Sequence, residues 1–411
     1  MPAMQVGVAT SPTWAVTLFL GFHLHVHRSG AKVRECTPVV LFSALIRYFW
    51  LMRLTMSVTR IAIIGGGLAG LYAANRLHDL GIEFDLFEAR NRLGGRIHSI
   101  PSGGVDLGPS WFWPDFQPMM QGLVSELGLP VFEQYSSGAT LIEDHAGVAV
   151  RRPEYFSGNT SMRIEGGTGR LVQALTASLP PARVHLNTPL TSVAVQDEQV
   201  CLCFSGKPPL AQRYSAVWMA MPLRLVAQIQ FNPALSPNEL EALVAVPTWM
   251  AAHAKYVARY ATPFWRDAGL SGDAFSRVGP LVELHDACNG EGAALFGFLG
   301  LNAIQRASLP ASDLKMLCRA QLVRLLGDQA ADPVEDALYD WASDPFTATD
   351  KDKLSSGSHS YLDPGFGLAL PWGQLVRLVG SEAAAEQGGY MEGALRAVNA
   401  ALSALDNQTI Q

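Results

Sequence analysis

The run Arg60-Ile-Ala-Ile-Ile-Gly-Gly-Gly-Leu-Ala-Gly70 sets the fold of this chain. Ile61 to Ile64 is uninterrupted and apolar, as a strand buried on both faces requires. Gly65, Gly67 and Gly70 then fall on the G-x-G-x-x-G spacing. The first permits the tight turn, the second lets a pyrophosphate approach the backbone, and the third lets helix pack on strand. Leu68, Leu71, Ala74, Leu77 and Leu80 follow, mostly three apart, and predict a helix that stops at Gly81. Phe84 to Glu88 predicts the next strand, ending in an acid eighteen residues beyond Gly70, where it would meet ribose hydroxyls. A glycine turn alone would carry little weight. Strand, turn, helix, strand and acid in this order predict a dinucleotide-binding unit.

Working outward, Ala89-Arg90-Asn-Arg-Leu-Gly94-Gly95-Arg96 resembles the extended signature of FAD-containing oxidoreductases, in which a second glycine pair and its arginine approach pyrophosphate and flavin. The chain has 411 residues, 49% of them hydrophobic, with a net charge of -6, enough for two intertwined domains around a large core. No basic stripe interleaved with aromatics is present, which argues against nucleic acid as a partner. Five cysteines in so long a chain are no disulfide framework and point to a reducing, cytoplasmic setting. Cys201-Leu-Cys203 alternates within a strand-like stretch and reads as buried small side chains rather than a metal site. Residues 1–55 differ from the rest. Two apolar runs, Thr13 to Phe22 and Pro38 to Met52, flank His23-Leu-His-Val-His27, and neither reaches the roughly 18 to 20 apolar residues of a membrane span. Met56 just ahead of the first strand reads as a natural start, so residues 1–55 are expected to be a dispensable extension, with membrane association as the alternative.

Further along, Val105 to Gly108 predicts a short strand, Pro109-Ser-Trp-Phe-Trp-Pro114 an aromatic turn, and Phe116 to Gly128 a helix. A helix is predicted from Thr168 to Leu179, then strands at Val184 to Leu186, Leu190 to Val195, Val200 to Phe204 and Tyr214 to Met219. Ser236-Pro-Asn-Glu239 opens a helix, with Ser as cap, Pro at the first position and Glu reaching back. His253 to Tyr260, Leu295 to Leu299 and Ala337 to Trp341 predict strands, with a helix from Asp313 to Leu326. Val376 to Val379 predicts a last buried strand before a helix from Gly389 to about Leu405, whose free N–H groups and positive dipole end would face a flavin. Dinucleotide-type segments thus recur at 56–110, 161–225 and 346–411, with a mixed α+β substrate domain inserted as 111–160 and 226–345. The fold class is α/β, an FAD-binding Rossmann-like domain intertwined with a second domain, with the ligand in the cleft between them.

From Val58 to Leu405 the chain resembles the flavin-containing amine oxidases, the family of monoamine and polyamine oxidases. Arg163-Ile-Glu-Gly-Gly-Thr-Gly-Arg170 is similar to the second glycine-rich element of that family, and Val184-His-Leu-Asn-Thr-Pro-Leu190 to its adenine-side strand pair. Lys255, ten residues before Trp265, matches the active-site lysine, and Gly380-Ser-Glu382 with Gly388-Gly-Tyr-Met-Glu392 resembles the C-terminal flavin signature. The resemblance implies FAD held by Gly65, Gly67, Leu68, Ala69, Gly70, Glu88, Ala89, Arg90, Gly95, Arg96, Ser110, Trp111, Leu190, Trp341, Glu382 and Met391. Glu382 would accept from a ribityl hydroxyl and the Met391 N–H would meet the flavin carbonyl. It implies catalytic roles for Lys255, holding a water at flavin N5, and for Tyr390, one wall of an aromatic cage. The opposite wall falls on His359, where the family commonly has an aromatic, with Tyr361 as the alternative. Ser358 stands where some members carry a flavin-linked cysteine, so FAD is expected to be non-covalent. No hydrophobic tail follows Leu405, so a tail-anchored organisation is not expected.

The reading that results is an FAD-dependent oxidase of small amines. Hydride from the C–H beside the nitrogen would pass to flavin N5, and O2 would serve as acceptor, giving H2O2 and an imine or aldehyde. No metal is expected, and a homodimer is left open. Two alternatives stand beside it: an FAD-dependent desaturase or dehydrogenase of related fold acting on an apolar substrate, and an FAD-binding homologue without turnover. Bland readings also remain for single residues: a Lys255 whose ammonium snorkels to solvent, and core roles for Tyr390 and Trp341.

Overall fold

The computed structural model describes residues 60–153, 160–206, 212–354, 362–363 and 365–409. His359, Ser358 and Tyr361 lie outside the described residues, as does the whole extension at 1–55. The chain divides into Met1–Ser57 and Val58–Gln411, and every described element belongs to the second unit.

Strand Arg60–Ile64 lies at the centre of a five-stranded parallel sheet ordered Val376–Leu378, Ala216–Met219, Arg60–Ile64, Glu83–Phe87, Val184–His185. Its unbroken apolar run is explained by the two faces it serves. Ile61 and Ile63 pack under helices Leu68–Asp79 and Met391–Thr409, with Leu71, Leu77, Leu395 and Val398. Ala62 and Ile64 pack on the other side against Val193, Leu202 and Phe204 of a three-stranded sheet, Gln230–Asn232, Leu190–Gln196 and Gln199–Phe204. Within this last strand Cys201 and Cys203 lie on the half-exposed face while Leu202 is buried, so the expectation of buried cysteines is corrected: the strand's two-residue period assigns the core to Leu202.

A seven-stranded sheet forms the second layer system, ordered Glu335–Asp340, Ala254–Tyr260, Ala293–Leu299, Leu281–Asp286, Leu270–Ser276, Ala139–Glu143, Ala149–Arg152, antiparallel except where Leu270–Ser276 meets Ala139–Glu143. One face, with Tyr256, Ala258 and Leu295, is covered by Leu314, Cys318 and Leu322 of helix Ala311–Leu326. The other, with Val257 and Phe296, packs on Val105 and Leu107. Lys255 shares that second face by the two-residue period.

One expectation needs correction, and two strands were not foreseen. Strands Leu270–Ser276 and Leu281–Asp286 were not legible because Asp273, Glu283 and His285 interrupt the apolar pattern. His285 links them, its Nδ1 paired with Asp273 of the neighbouring strand at 2.8 Å and its Nε2 with Glu283 of its own strand at 2.7 Å. Val105 to Gly108 forms a single bridge, Ser99 to Asp106, and the Asp106 carboxylate accepts from the Thr168 N–H and hydroxyl at 2.9 and 2.7 Å. Gln230–Asn232 and Leu243 pack with the parallel-sheet side, as do Met120 and Leu123. The capping box at Ser236 is present in full, with both reciprocal bonds.

Candidate active site

A cavity of about 710 Å³ runs from the glycine turn of the parallel sheet to the Lys255 face of the antiparallel one. Its dinucleotide end is built by sequence-local necessity. Gly65 is at φ +109, and a Cβ on Gly70 would stand 1.8 Å from the Gly65 carbonyl oxygen, so the turn closes and the helix seats on the strand only with glycine at both. Gly67 and Gly95 face each other backbone to backbone: a Cβ on Gly95 would come within 3.0 Å of the Gly67 Cα. The helix beginning at Leu68 has no side-chain cap, which leaves its first N–H groups for a ligand. Bare backbone, uncapped helix start and cavity wall coincide there, and these features fit the pyrophosphate of a dinucleotide.

Glu88 is buried at this end; its Oε2 accepts from the Gly66 N–H at 2.6 Å and its Oε1 from the Arg90 N–H at 2.8 Å. The acid therefore fixes the glycine loop as well as lining the cavity with Gly65, Gly67, Leu68, Ala69, Ala89, Arg90, Gly95 and Arg96. Gly70 lies behind the wall in a packing role. Arg90 is clamped on Asp344 at 2.8 and 3.2 Å and on the Thr347 hydroxyl at 2.9 Å. Leu190, Trp341 and Met391 also line the cavity, and Trp341 is oriented by its Nε1–H donating to the Leu107 carbonyl at 3.0 Å.

Glu382 departs from its expected role. It is 2% exposed, does not face the cavity, and accepts two bonds from Arg96, at 2.6 and 3.0 Å, and one from the Trp249 N–H at 3.2 Å. Burial opposes its ionisation, yet the Arg96 guanidinium outweighs this and holds the carboxyl below its ordinary range. With both oxygens engaged, Glu382 positions Arg96 and Trp249, and those two residues reach the cavity.

Lys255 sits on the antiparallel wall, 2% exposed. Its Nζ donates to Ser110 Oγ at 2.7 Å and to the Gly108 carbonyl at 3.0 Å, and lies 3.7 Å from the centre of the Phe296 ring. The snorkelling lysine is thereby excluded. Burial lowers its pKa to about 7, with Asp106 pulling upward and Arg163 adding to the fall. Ser110 and Trp111 line the cavity beside it, Trp111 fixed by its Nε1–H on Gln134 at 2.7 Å. Tyr390 meets Trp249 at 6.1 Å and Trp113 edge-on at 6.2 Å, and all three rings line the cavity. Trp113, Trp249, His253 and Phe298 were not singled out from the sequence. For His253 the signal existed, since it stands one strand period ahead of Lys255.

Among the described residues no helix is long and apolar enough to cross a membrane, and no His, Cys, Asp and Glu group could hold a metal. In comparison with known proteins, residues 132–402 match the family described as flavin containing amine oxidoreductase, and residues 63–127 an NAD(P)-binding Rossmann-like domain. Putrescine oxidase of Kocuria rosea is 26% identical, over 82% of this chain and 92% of its own length. Flavin-containing amine oxidase B of Homo sapiens is 23% identical, over 82% and 84%. The structure of cyclohexylamine oxidase from Brevibacterium oxydans IH-35A shares the fold, with a TM-score of 0.70 at 20% identity, over 86% of this chain and 100% of the other.

Proposed function

The chain belongs to the flavin-containing amine oxidoreductases, and on that premise we propose that it is a cytoplasmic FAD-dependent oxidase of small amines. The carrying observation is one cavity that joins a dinucleotide cradle to a dry lysine and an aromatic wall. FAD, when bound non-covalently, supplies the two-electron acceptor for hydride from the C–H beside the amine nitrogen, with O2 as final acceptor giving H2O2 and an imine that hydrolyses to aldehyde.

The chain's own contribution is orientation, exclusion of water and charge. The loop at Gly65–Gly67, braced by Glu88, receives the dinucleotide phosphates. Arg96, held by Glu382, places a cation at the cavity wall beside Trp249. Tyr390, Trp249 and Trp113 offer ring faces and edges to an amine without a formal negative charge, which suits a neutral nitrogen. Lys255, with a pKa of about 7, changes charge near physiological pH and can hold or release a proton at Nζ beside Ser110.

Purified protein screened against an amine library for bleaching of the flavin absorbance and for peroxide tests this reading. Bleaching that reverses in air with peroxide release is the expected result. Bleaching that persists in air would move the assignment to a dehydrogenase, and no response to any amine would remove the amine reading.

A further inference from the structure

The donors of Lys255 are committed within the protein. An ammonium carries three N–H groups. One meets Ser110 Oγ at 2.7 Å and one the Gly108 carbonyl at 3.0 Å. Nζ also stands 3.7 Å from the centre of the Phe296 ring, whose face takes the third. Ser110 is buried and lines the cavity. Its hydroxyl accepts from Lys255 and donates to none of the described residues. An N–H already fills its Lys255 side, so the Ser110 hydrogen is left to point into the cavity. The segment is pinned from behind. The Gly108 N–H donates to the His98 carbonyl at 3.2 Å, and the Pro109 carbonyl accepts from the Thr168 hydroxyl at 3.1 Å.

Loss of one proton from Lys255 changes this wall at a single point. The neutral amine keeps two N–H groups and gains a lone pair. The Gly108 carbonyl and the Phe296 face can only accept, so they hold the two N–H groups. Ser110 alone of the three partners has a hydrogen to give, and the lone pair turns to it. Its O–H then donates to Nζ, and Oγ presents lone pairs to the cavity instead of a hydrogen.

Resting on the amine-oxidation reading, we propose that Ser110 is the ligand-binding group of this wall and that Lys255, behind it, sets its polarity: Ser110 donates to the ligand when Lys255 is protonated and accepts from it when Lys255 is neutral. An amine is then held through its N–H with the nitrogen lone pair left free while Lys255 is neutral. A ligand that offers only an acceptor, such as a carbonyl product, is held while Lys255 is protonated. Burial brings Lys255 to about 7, so both forms are populated near neutral pH. The charged groups acting on it are Asp106, which accepts from Ser99 and Thr168, and Arg163, which donates to the Asp286 and Cys288 carbonyls. Tyr339 faces it from strand Glu335–Asp340, His253 lies just ahead of its own strand, and His285 stands beside Phe296 with Asp273 and Glu283. Burial holds His253 below 6.5, and against burial the two carboxylates hold His285 above it. The test therefore has to separate both histidines from Lys255.

Calorimetric binding to the flavin-loaded full chain does so, with two probes that do not titrate between pH 6 and 8.5. Indole offers an N–H donor, and N,N-dimethylbenzamide offers an acceptor without a donor. One uncharged hydrogen bond is gained or lost, so the indole Kd should fall about tenfold from pH 6 to 8.5 and the dimethylbenzamide Kd should rise about tenfold. Both dependences should vanish in S110A and in K255M. Dependences of the same sign for the two probes, or no binding of either, would overturn the proposal. A dependence that survives in S110A would mean that Lys255 meets the ligand directly, and one that survives in K255M would assign it to a histidine; each also overturns it. The amine screen separates this result from the functional reading. Opposite dependences lost in S110A, without flavin bleaching by any amine, keep the role of Ser110 and reject the oxidase. Amine turnover with both probes insensitive to pH does the reverse, and the absence of both rejects both.

Discussion

Lys255 is the residue at which burial and chemistry meet most directly. Its unfolded-state value is near 10.5 and its folded-state value about 7, so between these the unfolded chain binds the extra proton. Stability then rises with pH across that window, by about 1.4 kcal/mol for each unit of pKa difference realised. Lys255→Met abolishes this rise. It also strands the Ser110 hydroxyl and the Gly108 carbonyl, which offsets the relief from the buried cation, so the melting temperature at pH 7 should move little. Turnover should fall strongly, because a positioned charge contributes a few kcal/mol in a dry site. Stability curves from pH 7 to 10 and stopped-flow traces of the two half-reactions check both parts; a parallel pH dependence in variant and wild type would show that Lys255 keeps its proton. Glu88 is the second decisive residue. Glu88→Ala frees the Gly66 and Arg90 N–H groups as well as removing the ribose acceptor, so the variant should purify with markedly less flavin. Full flavin occupancy would take this acid out of the site.

At the scale of elements, the helix Met391–Thr409 depends on how the chain enters it. Gly389 has φ +84, and a Cβ there would stand 2.4 Å from the Trp249 Cβ. Gly389→Ala must therefore adopt a strained backbone and push Trp249 from its place against Tyr390. A loss of about 1–3 kcal/mol is expected from the backbone alone, with amine turnover falling further than flavin content. Calorimetry and kcat on the same preparation read the two effects, and a variant as active as wild type would mean that Trp249 is no part of the substrate wall. This contact also shows where sequence reading stopped. Ile61 to Ile64, the glycine turn and Ser236 were legible because each obeys a local rule: two buried faces, a tight turn, a cap. Trp249 and Glu382 were not, because their roles come from tertiary partners far along the chain. Glu382 reads as a ligand-facing acid in isolation, and only Arg96, brought to it by the fold, turns it away from the cavity. Strands Leu270–Ser276 and Leu281–Asp286 were hidden for a related reason, since their polar residues find partners only in the folded sheet, His285 with Asp273 across the strands and with Glu283 along its own.

The molecule as a whole is tied together through the cavity. The parallel sheet supplies Gly65, Gly67 and Glu88, and the antiparallel sheet supplies Lys255 and Phe298 to the same space. A ligand that touches both binds the native arrangement and not the unfolded chain, so it stabilises both sheets by mass action, about 2.7 kcal/mol at a free concentration one hundred times Kd. FAD is therefore expected to stabilise the unit as one body rather than one sheet alone. Trp218 is buried in the parallel sheet and Trp265 in the core of the antiparallel one, so of the nine tryptophans two variants, one keeping only Trp218 and one keeping only Trp265, would let the two regions be followed separately by fluorescence. Removal of the flavin should lower both transitions together, and added FAD should restore them together. Acid precipitation should leave the flavin in the supernatant, as a non-covalent cofactor requires. If stripping the flavin lowered the Trp218 transition and left the Trp265 transition in place, the cofactor would be bound by the dinucleotide end alone. Lys255 would then lie too far from it to take part in the chemistry.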